Sequence, residues 1–121
     1  MKNIIQSRVE TVSINDVRKN AGFIKTRYFA KAELQELQNE HLQTLAGFYA
    51  VKCALKKLLN DIYPEFQIEE RQIIITHNKT GAPRVKTIKP MQKADTERIY
   101  ISITHTSDNA YGFAAISRMD S

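Results

Sequence analysis

The chain has few of the residues that mark several protein classes. It contains one cysteine, Cys53, so an intrachain disulfide framework is excluded and a reducing compartment is expected. No apolar run reaches the roughly 18 residues that a transmembrane helix needs. The first ten residues, MKNIIQSRVE, lack the apolar core of a secretory signal. We therefore expect a cytoplasmic protein that does not act on a membrane.

Positive charge is what the chain has in excess. Lysine and arginine total 18 against 13 acidic residues, a formal charge of +5, which favours acidic or phosphorylated partners. Nucleic acid is the weaker alternative, since zinc-finger spacing, RRM-type aromatic motifs and long lysine blocks are missing. The three histidines and Cys53 do not have the spacing of a zinc site. With 121 residues, 42% of them hydrophobic, the chain is predicted to form one domain over residues 1–121.

The first half of the sequence has mainly helical patterns. Weak alternation before Ser13 predicts a first strand, and Ser13 is a suitable N-cap for a short helix that ends near Gly22. Residues 30–37 predict a short polar helix. Apolar residues at spacings of three and four predict a long helix over residues 41–62, ending before Pro64.

The second half has strand patterns. Residues 73–76 and 83–88 predict two strands that a turn at Gly81 connects, followed by a polar connection over residues 89–98. Residues 99–105 alternate as a half-buried strand, and residues 111–116 return after a turn. The fold class is therefore α+β, one long helix plus short helices packed on an antiparallel sheet.

Three positions could carry chemistry toward phosphate. Lys52 and Lys57 lie on the long helix beside small residues and could hold phosphate groups, although spacing alone favours a solvated helix edge. His105 ends a strand next to Thr106 and could donate to phosphate oxygens, but a turn cap is the simpler explanation.

Four segments in order resemble the holo-acyl-carrier-protein synthases, which are 4′-phosphopantetheinyl transferases. The segments are residues 29–34 (FAKAEL), 45–59 (LAGFYAVKCALKKLL), 81–85 (GAPRV) and 101–110 (ISITHTSDNA). The helix and the ITHT segment are specific, whereas a GxP turn alone is weak. The resemblance extends from about residue 9 to residue 116.

The resemblance implies an enzyme of fatty acid, polyketide or related biosynthesis. Such an enzyme moves the 4′-phosphopantetheine arm of coenzyme A onto a serine of an acyl carrier protein. Mg²⁺ is the implied cofactor, and an acidic carrier protein suits the charge of +5. The family fold also implies a homotrimer whose sites are shared between neighbouring subunits.

The resemblance also implies roles for individual residues. Lys57 and Glu10 match catalytic positions, and Glu10 and Cys53 match the positions of the metal ligands. Arg27 is implied to face the carrier protein. The positions implied to bind coenzyme A are Lys52, Lys57, Gly81, Pro83, His105 and Thr106.

Two departures fall on the implied metal site. Glu10 replaces an aspartate, with Gln6 and Arg8 in place of neighbouring glycines, and Cys53 replaces a glutamate. A thiol is a poor ligand for Mg²⁺. Three alternatives therefore stay open: a transferase with a rearranged site, a relative that binds coenzyme A or a carrier protein without transfer, and, as the weakest, a protein that binds nucleic acid or another anion despite the motif match.

Cys53 itself has two interpretations. Neighbouring Lys52 and Lys57 are expected to lower its pKa, which would allow a thiolate nucleophile. The other interpretation is a small buried helix residue.

Overall fold

Residues 3–119, which the computed structural model describes, form five strands and five α-helices. The strands are β1 (Asn3–Ser13), β2 (Ile73–His77), β3 (Pro83–Ile88), β4 (Ile99–His105) and β5 (Asn109–Met119). The helices are α1 (Ile14–Lys19), α2 (Ala21–Tyr28), α3 (Lys31–Glu36), α4 (Leu42–Ile62) and α5 (Lys93–Thr96), with 3-10 turns at Pro64–Phe66 and Glu70–Gln72. The α+β class with one long helix is confirmed. Within this range no helix is long and apolar enough to cross a membrane.

The strands form two antiparallel sheets instead of the single sheet that the sequence predicts. One sheet has the order β1-β5-β4, and the other is the hairpin β2-β3. The hairpin packs beside β4 without joining its ladder, and the segment between β3 and β4 contains α5. In the larger sheet, Glu10 is level with Gly112 and Ile103, and Val12 is level with Ala110 and His105.

Helix α4 crosses one face of the larger sheet from β4 to β1. Gly47 meets Ile103 of β4, and further along the helix the backbone at Val51 meets Gly112 of β5. A Cβ at residue 112 would lie 2.3 Å from the Val51 nitrogen, so only glycine allows this approach. Because the helix then continues to β1, its last turns are the ones that reach the β1 edge of the sheet.

The opposite face of the larger sheet, which we call the outer sheet face, exposes large apolar side chains. Ile5 is 71% exposed and Val9 57% exposed. Val9 is directly opposite Phe113 in the ladder, and both are exposed, as is Tyr100 on β4. The core lies on the other side, between α4, the two sheets and the short helices, and includes Leu55 and Leu59.

Most predicted elements are confirmed, and two are missed. The Ser13 hydroxyl accepts a hydrogen bond from the Asp16 amide at 3.2 Å, as expected of an N-cap. The predicted short helix is α1, which ends at Lys19, two residues before Ala21, and the missed element is α2, which begins at Ala21 and runs through Gly22. The polar connection after β3 contains α5, a single turn too short to show a hydrophobic period.

Candidate active site

The end of helix α4 brings Lys57 to Glu10 on strand β1. The Lys57 ammonium donates a hydrogen bond to Glu10 Oε1 at 2.9 Å, across 47 residues of sequence. The Lys57 side chain is 52% exposed and that of Glu10 is 19% exposed. The two residues that the resemblance implies to be catalytic therefore form one cluster that a ligand can reach.

Arg8 contacts the same carboxylate oxygen. Its Nε donates to Glu10 Oε1 at 3.0 Å, and its Nη1 lies 3.9 Å from the Asp61 carboxylate. Residues 8 and 10 share a face because side chains alternate along a strand. The sequence predicts no site role for Arg8. The alternation of side chains along β1 nevertheless indicates that Arg8 lies beside Glu10.

The two cations keep Glu10 ionised. The hydrogen bond from Lys57 is the largest influence and lowers the pKa of Glu10 below its ordinary value, and the hydrogen bond from Arg8 acts in the same direction. Partial burial opposes both, without reversing the net shift. At neutral pH Glu10 is therefore a carboxylate that accepts hydrogen bonds.

Lys52 has a different environment from Lys57. Its ammonium is completely buried, pairs with Glu33 and donates to the Ile73 carbonyl at 2.6 Å. It also lies 4.7 Å from the centre of the Phe29 ring. Burial lowers the pKa of Lys52, and Glu33 opposes that shift. These contacts correct the expectation that Lys52 holds a coenzyme A phosphate, because its charged group has no exposed surface in this chain.

Lys56, in the neighbouring row of the helix, is also paired. It contacts Glu70 at 3.1 Å and Glu69 at 3.4 Å. Its hydrogen bond to Glu70 is the main reason that its pKa is raised. Lys57 is therefore the helix lysine whose ammonium is both exposed and next to Glu10.

Cys53 is a neutral thiol in this fold. Burial is the main cause that raises its pKa to about 11, and the Glu70 carboxylate adds to the shift. Lys57 favours the thiolate, but only as a minor influence. The expectation that neighbouring lysines lower the pKa of Cys53 is therefore wrong, since Lys52 is turned into the core and burial dominates.

The other predicted residues form two separate groups. His105 and Thr106 lie at the end of β4, and the Thr106 hydroxyl accepts from the amide of Asn109 at 3.1 Å. Because β5 lies between β4 and β1, two strand spacings of about 10 Å in total separate His105 from the β1 residue level with it. Within one chain, this group is apart from Lys57 and Glu10.

Gly81 and Pro83 belong to the turn of the β2-β3 hairpin. Gly81 has φ +86°, a left-handed conformation that favours glycine. The Asn78 side chain fixes the turn by accepting from the amides of Thr80 and Ala82, each at 3.0 Å. Both residues therefore shape the turn that leads into β3, the strand that packs beside β4.

The donors around Glu10 do not match a Mg²⁺ site. Among the described residues, no three side chains from His, Cys, Asp and Glu form a group that could hold a metal ion. Glu10 already accepts from two cations, and Cys53 offers a protonated sulfur. Mg²⁺ prefers several hard oxygen ligands in octahedral geometry.

A cleft of about 410 Å³ lies further along β1 from Glu10, between the end of that strand and helices α1, α2 and α4. It is lined by residues that follow Glu10 on β1, such as Val12, by Phe23 and Tyr28 of α2, and by Tyr49 of α4. Tyr49 lies one helical turn before Cys53. The lining mixes apolar and aromatic side chains with polar ones, among them Ser13, Asp16 and Asn20.

Comparison with known proteins gives one family. No protein-family model matches the chain. The holo-[acyl-carrier-protein] synthase of Clostridium tetani is 27% identical over 115 residues, which are 89% of each chain. The protein of the same name from Clostridium kluyveri is 32% identical over 104 residues, which are 81% of this chain and 75% of the relative.

Solved structures share the fold over almost the whole chain. A Bacillus anthracis holo-(acyl-carrier-protein) synthase in complex with CoA (3′,5′-ADP) has a TM-score of 0.77 at 15% identity, covering 98% of this chain and all of that one. The Helicobacter pylori holo-[acyl-carrier-protein] synthase in complex with coenzyme A has a TM-score of 0.70 at 21% identity, covering 93% of this chain and all of that one.

Proposed function

The chain belongs to the holo-[acyl-carrier-protein] synthase family, and from this premise we propose that it transfers 4′-phosphopantetheine from coenzyme A to a serine of an acyl carrier protein. The exposed Lys57–Glu10 pair is the observation that carries the proposal, because both residues stand at positions that the resemblance implies to be catalytic. Relatives named as synthases, and related structures that contain coenzyme A, support it. We propose that residues 1–121 act as one domain in the cytoplasm.

The reaction needs a cation near the phosphate under attack and an acceptor for a proton. The serine oxygen attacks the phosphorus that bears the pantetheine arm, the P–O bond to the adenosine bisphosphate breaks so that 3′,5′-adenosine bisphosphate leaves with that oxygen, and the serine proton passes to the Glu10 carboxylate. Lys57 is placed to neutralise charge that develops on the phosphate oxygens. Glu10 is ionised and hydrogen bonded to Lys57, so it is placed to accept the proton of the serine hydroxyl and to orient the lysine.

The resemblance also implies magnesium dependence. The donors of this chain are one carboxylate with two cationic partners and one neutral thiol, which do not match Mg²⁺. We therefore derive no step through a metal ion.

We propose that the complete site forms between copies of the chain, as in a homotrimer. The separation of His105 and Thr106 from Lys57 within one chain supports this, since a neighbouring copy can supply the missing group. The outer sheet face also supports it, because monomers rarely expose a continuous group of large apolar side chains.

We propose that an acidic carrier protein docks on α1 and α2. The exposed basic residues on these helices are Arg18, Lys19, Lys25 and Arg27. Val17 of α1 and Ile24 of α2 line the cleft that continues along β1 from Glu10, so a carrier held on these two helices would have its serine on the side of the chain where β1 carries Glu10. Complementary charge speeds such an encounter.

A second candidate function is binding without transfer. Cys53 favours it, because its thiol replaces a carboxylate that the family motif has at this position. In that case coenzyme A or a carrier protein would bind, and the phosphopantetheine arm would stay on coenzyme A.

The test is transfer to an apo-acyl carrier protein, followed by intact-protein mass spectrometry. We expect the carrier to gain one phosphopantetheine group. Lys57→Met should slow transfer by about 100-fold or more, as expected on removal of a transition-state charge partner. Lys56→Met is the matched control, since it removes a lysine of the same helix that pairs with Glu70. No modification at high enzyme concentration, with coenzyme A still bound in calorimetry, would favour the second candidate.

A further inference from the structure

We propose that Arg8 and Lys57 take the place of a divalent cation at the Glu10 carboxylate, so that the chain binds coenzyme A phosphates with its own positive charges. This inference rests on the proposed function and adds Arg8 to the residues of its site. It concerns the source of the positive charge, which can be tested by binding as well as by transfer.

The geometry at Glu10 is the first argument. Lys57 Nζ and Arg8 Nε both donate to one oxygen, Oε1, at 2.9 and 3.0 Å. A metal ion that approached this oxygen would meet two positive charges and would have to displace both hydrogen bonds. The pairing of Glu10 with its neighbours therefore opposes metal binding by occupancy at Oε1, and by electrostatic repulsion from the two cations at either carboxylate oxygen.

The second argument is the residual charge of the cluster. Arg8 and Lys57 contribute two positive charges, and Glu10 neutralises one of them. Asp61 reaches Arg8 only at 3.9 Å, and its side chain is 74% exposed, so this contact is weak. Arg8 and Lys57 thus exceed Glu10 by one positive charge, and Asp61 brings the formal sum of the four groups to zero. Because solvent screens the exposed Asp61, Arg8 can exchange this weak contact for a phosphate, which a guanidinium binds through two parallel hydrogen bonds.

The third argument is the chemistry of the remaining donor. Cys53 cannot compensate for a missing carboxylate, because its one donor atom is sulfur, a soft ligand, where Mg²⁺ prefers hard oxygen. Arg8 and Lys57 supply positive charge by themselves, so they need no bound metal ion and no metal ligands. Arg8 is also partly exposed, 39% for its side chain, so its guanidinium can turn toward a bound phosphate.

Metal binding is measured first, with Mn²⁺ as the spectroscopic probe for Mg²⁺. We expect no saturable binding to the wild-type chain in an electron paramagnetic resonance titration up to millimolar Mn²⁺. The double variant Arg8→Gly with Cys53→Glu removes one competing cation and adds one carboxylate, and it should bind Mn²⁺. Saturable submillimolar binding to the wild-type chain would overturn the inference.

Coenzyme A binding is measured second, by calorimetry with EDTA or with Mg²⁺. The dissociation constant should agree within about twofold between the two conditions, and Arg8→Gln should raise it about tenfold, as for one lost phosphate contact. Arg8→Lys keeps the charge and should retain most of the affinity. Arg98→Gln, an exposed arginine at the start of β4, is the matched control. A large loss of affinity in EDTA, or no effect of Arg8→Gln in a folded variant, would overturn the inference.

The two proposals fail in distinguishable ways. Metal-independent and Arg8-dependent binding of coenzyme A, without transfer to any carrier protein tested, supports this inference and contradicts the proposed function. Transfer that needs Mg²⁺, together with saturable Mn²⁺ binding, leaves the proposed function intact and overturns this inference.

Discussion

Lys52 and Glu33 form an ion pair in which neither side chain has any exposed surface. The Glu33 carboxylate also accepts from the backbone amides of Ala30 at 2.9 Å and Ile75 at 3.1 Å, while Lys52 donates to the Ile73 carbonyl. Helix α3, helix α4 and strand β2 are thereby joined through two side chains. Buried charges are tolerated when they are paired and fully hydrogen bonded, as here.

Lys52→Met should strongly destabilise the fold. It leaves the Glu33 carboxylate buried without its cation, and breaking such a pair costs about 3–5 kcal/mol of unfolding free energy. Urea denaturation monitored by circular dichroism measures the change. Asp61→Asn is the control: it removes an exposed partner of Arg8 and should change stability by less than about 1 kcal/mol. The double variant Lys52→Met with Glu33→Gln removes the unpaired buried charge and should regain part of the stability that Lys52→Met loses. A Lys52→Met variant as stable as the wild type, or a double variant no more stable than Lys52→Met, would contradict this role.

The same pair shows what could be predicted from the sequence. Helix α4 was predicted almost to the residue, because apolar spacings of three and four are a local signal. Lys52 lies between Phe48 and Leu55 in that apolar row, so its burial could have been predicted from the sequence. Its partner was not, because Glu33 lies 19 residues away and the contact depends on tertiary packing.

The candidate site could also be predicted only in part, because it too depends on tertiary packing. Lys57 and Glu10 were identified by resemblance, and the fold brings them together. The division into two sheets and the distance between His105 and Glu10 depend on strand pairing, which hydrophobic patterns do not specify.

Substitution of individual glycines by alanine should change the stability of the fold in two ways. A new Cβ destabilises the fold where the glycine is closely packed, and it stabilises a helix where space is open. Gly112→Ala should be the most destabilising, because the new Cβ would meet the backbone of Val51 at 2.3 Å. Gly47→Ala meets the Ile103 side chain at 2.4 Å and should be partly rescued by Ile103→Ala. Gly22→Ala has open space and should stabilise α2 by up to about 1 kcal/mol. Thermal denaturation gives the order, and equal effects of Gly112→Ala and Gly22→Ala would contradict the close approach of β5 to α4.

Cys53 should react slowly with iodoacetamide at neutral pH. Since its pKa is raised to about 11, the reactive thiolate is scarce until the pH approaches that value. Compared with an ordinary thiol, alkylation at pH 8 should be about 100-fold slower. Mass spectrometry at pH 7 to 10.5 gives the rate, with the urea-unfolded chain as the control of ordinary pKa. Fast alkylation of the folded chain at pH 7 would show that the thiol is neither buried nor neutral.

Val9→Lys should prevent self-association and, with it, transfer. Val9 is 57% exposed on the edge strand β1 of the outer sheet face, opposite Phe113, so a lysine there places a charge in the proposed contact between copies. Light scattering should give about three times the 13.9 kDa chain mass for the wild type and the chain mass itself for the variant. Phe66→Lys is the control, since Phe66 is an apolar residue, 37% exposed, in the 3-10 turn Pro64–Phe66 and away from this face. Because His105 lies apart from Lys57 in one chain, loss of assembly should abolish transfer without unfolding the protein. A wild-type chain that transfers phosphopantetheine as a monomer would contradict the shared site.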